Sequence, residues 1–122
     1  DDHVNALLLI ADQGSPGESY CVGGESEKTN NEVVNQICDI LDEYFKKNTS
    51  YRELIHFVED RPGHDKRYAI DAGFLKKTLG WEPKYQLSEG LEKTVEWYLD
   101  NLDWSKEVLS KSKYKFQRLG TL

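Results

Sequence analysis

Apolar residues recur at helical spacing in four parts of the chain, and each part is predicted to form a helix. The first helix is expected to be capped by Asp1 or Asp2 and to run to about Asp12. Leu9 and Ile10 fill the side opposite its main stripe, so this helix is apolar almost all round. Such a helix is expected to pack on a larger body. The main stripe consists of Val4, Leu7, Leu8 and Ala11.

The other three predicted helices each have a recognisable start or stop. Thr29 and Glu32 form a capping box in front of the second helix. Asp71 is expected to cap a short third helix that ends at Gly80, and Ser88 to cap the fourth. The apolar face of the second helix comprises Val33, Val34, Ile37, Ile40, Leu41 and Tyr44, and that of the fourth comprises Leu91, Val95, Tyr98, Leu99 and Leu102.

Three short runs read as strands: residues 19–22, 54–58 and 67–70. Together with the helices they predict an α/β segment that is rich in helix and has few short strands. A chain of 122 residues is long enough for one core of modest size. We therefore expect a single domain over residues 1–122.

Composition and charge exclude several classes of partner. The chain is 38% hydrophobic and has a formal charge of −6. We expect no binding to nucleic acid or to a membrane surface, because both are polyanionic. The longest apolar run, residues 6–11, is far shorter than the ~20 residues that cross a bilayer. Cys21 and Cys38 are predicted to be reduced core residues, and an acidic start in place of a basic signal sequence favours the cytoplasm.

Several catalytic and cofactor motifs are absent from the sequence. It contains no Gly-x-Gly-x-x-Gly, no Walker-type Gly-Lys-Ser/Thr and no Gly-x-Ser-x-Gly. None of the seven tyrosines has a lysine four residues later, and the histidines and cysteines lack metal-ligand spacing. We predict no catalytic, cofactor-binding or metal-binding residue in this chain.

The polar loop at residues 60–65 is the richest candidate site. Pro62 favours an extended conformation at Arg61, and Gly63 permits a turn with close backbone approach. Arg61 can then present a planar fork that matches phosphate oxygens, with His64 beside it and Asp60 or Asp65 orienting the arginine or accepting from ribose hydroxyls. The alternative is a solvated turn with a surface Asp–Arg pair of little energetic consequence.

Asn30 is a second candidate, because it stands at the start of the helix behind Thr29. Helix N-termini offer free amides and a partial positive charge, which favour phosphate. The alternative is an ordinary residue of the first turn.

Several motifs resemble the dTDP-glucose 4,6-dehydratases, a family of extended short-chain dehydrogenases/reductases. They are Gly-Glu-Ser-Tyr-Cys-Val-Gly-Gly at residues 17–24, Arg-Pro-Gly-His-Asp-Lys-Arg-Tyr at 61–68, Leu-Gly-Trp-Glu-Pro at 79–83 and residues 93–101. The resemblance covers residues 1 to about 109 in order and the tail more loosely. Cys21 departs from the pattern, since the family often has asparagine there.

The resemblance implies the C-terminal, substrate-binding part of a Rossmann-type nucleotide-sugar enzyme. The parent would be homodimeric and would convert dTDP-glucose to dTDP-4-dehydro-6-deoxyglucose by NAD-dependent oxidation, water elimination and reduction. NAD and the catalytic residues would belong to an N-terminal domain outside this chain, so the chain alone is expected to be inactive. The implied substrate-binding residues, for the dTDP moiety, are Asn30, Asp60, Arg61, Pro62, Gly63, His64 and, more loosely, Tyr114.

Two other functions remain open at the level of sequence. One is a related nucleotide-sugar epimerase or decarboxylase, against which the unbroken Arg-Pro-Gly-His-Asp run argues. The other is a non-catalytic nucleotide-sugar-binding module. The absence of an initiating methionine and the apolar first helix favour a piece of a longer enzyme over such a module.

Overall fold

The computed structural model describes residues 1–60 and 62–112. These residues form five helices and one 3₁₀ turn, and none of them is in a strand. The elements are α1 (Asp2–Gln13), α2 (Asn30–Phe45), the 3₁₀ turn (Tyr51–Leu54), α3 (Gly73–Leu79), α4 (Leu87–Asp100) and α5 (Leu102–Ser112). They belong to two compact units, the first formed by Asp1–Thr29 with Arg67–Gly90 and the second by Asn30–Lys66 with Leu91–Leu122.

The first unit has a small apolar core in which α1 packs against α3. Ala6, Ala72, Leu75 and Trp81 are buried there, and the side chains of Tyr20 and Val22 are among those that pack against them. The Asp2 carboxylate accepts the N–H groups of Lys84 and Tyr85 at 3.0 Å, which ties the start of α1 to the chain after Trp81. The buried cluster and this carboxylate together fix α1 in the unit. The core cluster also contacts Leu9, Ile10 and Leu79.

Sequence signals located the first three helices well. Asp71 Oδ1 accepts the N–H of Gly73, the first residue of α3, at 2.7 Å, but the N-cap residue is Ala72, one position after the predicted one. Gly80 ends α3 with φ +69°, the left-handed conformation that glycine adopts without strain. The prediction for Ser88 is wrong, because α4 begins one residue earlier, at Leu87.

The end of α4 also differs from the prediction. The fourth stripe was expected to continue through Leu102, but α4 ends at Asp100 and a separate helix, α5, begins at Leu102. Asn101 lies between the two helices, at the end of α4 and the start of α5. Its Nδ2 donates to the Trp97 carbonyl at 2.8 Å, and its own carbonyl accepts the N–H of Ser105 at 3.0 Å. An asparagine side chain that binds the backbone in this way competes with helix continuation.

The three predicted strands are wrong for the part of the chain that is described. Residues 19–22 and 67–70 are extended but belong to no ladder, and Leu54 ends the 3₁₀ turn instead of starting a strand. Extended segments become strands only when neighbouring backbones pair with them. The first and third of these segments do approach each other, since a Cβ at Gly23 would lie 3.1 Å from the Ile70 side chain. The contact joins the backbone at Gly23 to Ile70, and neither segment forms ladder hydrogen bonds.

Burial corrects one other expectation. Cys38 is buried as predicted, but Cys21 is exposed, and both thiols are free. In the extended segment, side chains alternate sides, and Tyr20 and Val22 take the side that faces the core. Trp97 and Trp104 are about half exposed and pack edge-on against each other, with their ring centroids 5.2 Å apart.

The outer face of α1 is expected to drive self-association of the isolated chain. Val4, Leu7 and Leu8 are exposed at 56, 51 and 64%, and a contiguous apolar stripe on a helix favours association. We expect Leu7→Lys to shift the chain towards monomer in sedimentation velocity, while Gln13→Lys on the same helix leaves the distribution unchanged. A strictly monomeric wild-type chain, with α1 strongly protected from hydrogen exchange, would contradict this expectation.

Candidate functional site

The loop at residues 60–65 holds a preformed pair of polar side chains. His64 Nδ1 lies 2.7 Å from Asp60 Oδ1, and the His64 side chain is 28% exposed. Gly63 has φ +71°, and this left-handed residue turns the chain back so that His64 meets Asp60. The pair fixes the orientation of the imidazole and directs its Nε2 away from the carboxylate. Pro62 is exposed beside the turn.

Two of the predicted binding residues, Arg61 and Tyr114, lie outside the described residues. Their roles remain predictions from the motif and from the resemblance. The described neighbours of Arg61 are Asp60 and Pro62, both exposed.

Asn30 is the first residue of α2 and is exposed. The helix runs for 16 residues, so its aligned peptide dipoles give the N-terminal end a partial positive charge. Asn30 therefore lies where backbone amides favour an anion.

A cleft of about 410 Å³ lies between α2 on one side and the 3₁₀ turn with the segment after it on the other. Asn31, next to Asn30, lines the cleft, and so does Phe57, three residues before Asp60. Both belong to the second compact unit. The wall on the α2 side consists of Asn31, Val34, Cys38 and Leu41, and the other wall of Tyr51, Leu54, Ile55, His56 and Phe57.

Acidic residues in the second half of α2 hold the 3₁₀ turn in place. Asp42 accepts the Ser50 hydroxyl at 2.5 Å and the Tyr51 N–H at 2.8 Å. Asp39 binds Arg52 through Nε at 2.7 Å and Nη2 at 2.6 Å, a bidentate pair. The hydrogen bond from Ser50 and then that from Tyr51 lower the pKa of Asp42 below 3.8, while the hydrogen bond to Asp39 raises the pKa of Arg52. The sequence reasoning missed these contacts, although Ser50 before Tyr-Arg-Glu-Leu is a typical cap signal.

The lowered pKa of Asp42 predicts an acid-sensitive second unit. Stabilisation by a carboxylate of this kind is present above about pH 4 and is lost as the pH falls through its folded pKa. We expect the urea midpoint of the wild-type chain to fall between pH 6 and pH 3 by more than that of Asp42→Asn. Asp103→Asn, which removes a fully exposed carboxylate in α5, should keep the wild-type pH dependence. Equal losses for wild type and Asp42→Asn would contradict the assignment.

Metal and membrane chemistry receive no support from the described part of the chain. No group of three or more histidine, cysteine, aspartate or glutamate side chains in residues 1–60 and 62–112 is arranged to hold a metal ion. No helix within these residues is long and apolar enough to span a membrane.

Comparison with known proteins defines the class. A family model described as GDP-mannose 4,6 dehydratase matches residues 1–94. The chain belongs to this family of dehydratases.

The relatives are more specific. A dTDP-glucose 4,6-dehydratase of Salmonella typhimurium is 53% identical over 110 residues, which is 90% of this chain and 30% of the relative. A probable dTDP-glucose 4,6-dehydratase of Sinorhizobium fredii is 51% identical over 122 residues, 100% of this chain and 35% of the relative. The chain thus spans about a third of the length of the curated relatives it matches. The resemblance to dTDP-glucose 4,6-dehydratases is confirmed.

A solved structure supports the same assignment of fold. It is dTDP-glucose 4,6-dehydratase from Bacillus anthracis in complex with NAD, 43% identical, with a TM-score of 0.73. The match covers 84% of this chain and 30% of that one. The prediction of a helix-rich part of a Rossmann-type enzyme is therefore confirmed, apart from the strands.

Proposed function

We propose that this chain is the C-terminal part of a dTDP-glucose 4,6-dehydratase and that residues 1–122 bind the dTDP moiety of the substrate as one domain. The observation that carries the proposal is the Asp60–His64 pair, 2.7 Å apart in the loop that bears the specific motif. Identities of about half with dehydratases named for dTDP-glucose support this substrate over other nucleotide sugars. A homodimeric parent in the cytoplasm is part of the proposal and is supported by the resemblance.

Each candidate residue has a distinct role in the proposed site. Arg61 forms two parallel hydrogen bonds to the diphosphate, because its planar guanidinium matches phosphate oxygens. Asn30 adds a neutral donor at the N-terminal end of α2. His64, oriented by Asp60, contacts the nucleoside. Pro62 and Gly63 shape the loop, and Tyr114 contacts the nucleotide from the tail.

The proposed reaction is oxidation at C4 of the sugar, elimination of water across C5 and C6, and return of hydride to C6. The residues of this chain bind groups remote from those carbons. The binding energy from these remote groups holds the sugar in a reactive orientation and thereby lowers the activation barrier. The share of this chain in catalysis is thus to position the substrate.

The residues present do not fit NAD. A dinucleotide needs a glycine-rich turn between a strand and a helix, so that backbone amides reach the pyrophosphate. The chain has no such glycine motif, and its described residues contain no strand–turn–helix unit. We therefore assign NAD, which the Bacillus anthracis structure contains, to the part of the parent enzyme outside this chain.

Titration of dTDP into the intact parent protein tests the proposed site. We expect Asn30→Ala to weaken binding about threefold to tenfold, the loss of one neutral hydrogen bond. His64→Ala should weaken it by a similar factor of about ten, because the nucleoside contact is lost. Asn48→Ala and His3→Ala, exposed residues of the same types, serve as controls and should bind like wild type. Wild-type affinity in both site variants would refute the assignment.

The isolated chain is expected to have no dehydratase activity. It lacks the Tyr-x-x-x-Lys pair and the glycine-rich motif of the dehydrogenase chemistry. Incubation of the purified chain with dTDP-glucose and NAD⁺ should give no dTDP-4-dehydro-6-deoxyglucose, as followed by chromatography. The intact enzyme under the same conditions is the positive control. Turnover by the chain alone would overturn the division of roles.

A further inference from the structure

We propose that Asp42 is a positioning residue for the dTDP site. Its carboxylate holds the 3₁₀ turn against α2 and thereby sets where the loop of Asp60 and His64 lies relative to Asn30. The inference rests on the proposed function, because it concerns the same site.

Asp42 connects two parts of the chain that each lead to a binding residue. On one side it belongs to α2, the helix that begins at Asn30. On the other side its two oxygens accept the Ser50 hydroxyl and the Tyr51 N–H, at 2.5 and 2.8 Å. The Ser50 hydroxyl oxygen also accepts the N–H of Arg52 at 3.1 Å and so caps the turn. One carboxylate thus fixes the start of the turn to the helix.

Three apolar side chains at the end of the turn and after it are largely exposed. Leu54, Phe57 and Val58 are exposed at 69, 82 and 74%. Burial of apolar surface is the main force that fixes an extended segment, and these side chains bury little. The position of residues 55–59, and of the loop that follows, therefore depends on the anchored turn.

The neighbouring ion pair is a weaker anchor. Asp39 and Arg52 are each about half exposed, so water and salt reduce the strength of their bidentate pair, which joins side chains only. The Asp42 contacts include a backbone N–H, whose position is part of the turn itself. Asp42 is for this reason the residue to test.

The experiment measures the affinity of the intact parent protein for dTDP. Asp42→Ala removes both hydrogen bonds, and we expect about tenfold weaker binding. Asp42→Asn keeps an oxygen that accepts the Tyr51 N–H, so it should restore most of the affinity. Asp103→Ala, which removes a fully exposed carboxylate, is the matched control and should bind like wild type. Ser50→Ala removes only one of the two hydrogen bonds. Its affinity for dTDP is the test if Asp42→Ala does not fold.

A double-mutant cycle separates positioning from a general loss of stability. If Asp42 acts through the loop, Asp42→Ala should weaken binding much less in a protein that already carries His64→Ala. An equal weakening in both backgrounds would show that Asp42 only stabilises the fold, and would overturn the inference.

The remaining outcomes distinguish the inference from the proposed function. The inference alone is overturned if Asn30→Ala and His64→Ala weaken binding but Asp42→Ala binds dTDP like wild type. Where Asp42→Ala does not fold, Ser50→Ala takes its place in this comparison. A wild-type protein that does not bind dTDP overturns the proposed function, and the inference with it.

Discussion

Leu75→Ala should destabilise the chain by about 2–5 kcal/mol, which is the usual range for truncating a buried leucine. Leu75, in α3, is the largest fully buried side chain among the described residues. It packs with Ala6, Ala72 and Trp81, the only other members of the buried cluster in the described residues. A core this small has few side chains that can move into the space left by the isopropyl group.

Urea denaturation of the chain, followed by circular dichroism, measures the effect. Leu54→Ala is the matched control, because the same atoms are removed from a side chain that is 69% exposed. We expect the control to change the free energy of unfolding by less than about 0.5 kcal/mol. Similar values for the two variants would mean that α1 and α3 do not form the core of the first unit.

Arg61→Lys is expected to weaken binding of dTDP to the intact enzyme by about 10- to 100-fold. Hydrogen bonds to a charged group are each worth roughly 1.5–3 kcal/mol, and 1.4 kcal/mol corresponds to a factor of ten. Lysine keeps the positive charge and its attraction to the diphosphate. It lacks the planar guanidinium and cannot form the two parallel hydrogen bonds. The loss should therefore exceed that of Asn30→Ala.

Isothermal titration of dTDP into wild type and variant is the measurement. Arg67→Lys serves as the control, since Arg67 is an exposed arginine that pairs with Glu27. Unchanged affinity in a folded Arg61→Lys protein would leave the loop as a solvated turn.

Local signals in the sequence predicted the helices because their causes are local. Gly80 ends α3 as expected, since a left-handed glycine acts within a few residues, and Asp71, one residue before the N-cap Ala72, binds the first N–H of the helix. The apolar stripe of α1 predicted a helix, and its over-apolar character agrees with the exposed Val4, Leu7 and Leu8.

The strands could not be predicted in the same way, because a strand exists only with a partner. Residues 19–22 and 67–70 have the composition of strands, but ladder pairing depends on backbones that are distant in sequence. The break at Asn101 was missed for a different reason. The apolar stripe continues through Leu102, whereas α4 ends at Asp100, where the Asn101 side chain binds the Trp97 carbonyl.

The residues of the candidate site were predicted from the motif, whereas the contacts proposed to hold them in position were not. Asp60 and His64 are four residues apart, so their contact follows from one turn at Gly63. Asp42 and Tyr51 are nine residues apart and are joined by a hydrogen bond that no local pattern specifies. Sequence reasoning thus found residues proposed to touch the ligand and missed the one that we propose holds them in place.

Hydrogen–deuterium exchange of the intact enzyme with and without dTDP tests the central claim most directly. The claim is that this chain supplies the binding surface for the diphosphate and the nucleoside. The account predicts slower exchange in peptides covering residues 29–34 and 60–66 when dTDP is added, and no change there when NAD⁺ alone is added. Peptides from α1 should exchange equally with and without dTDP. Protection by dTDP that leaves both site peptides unchanged would contradict the account.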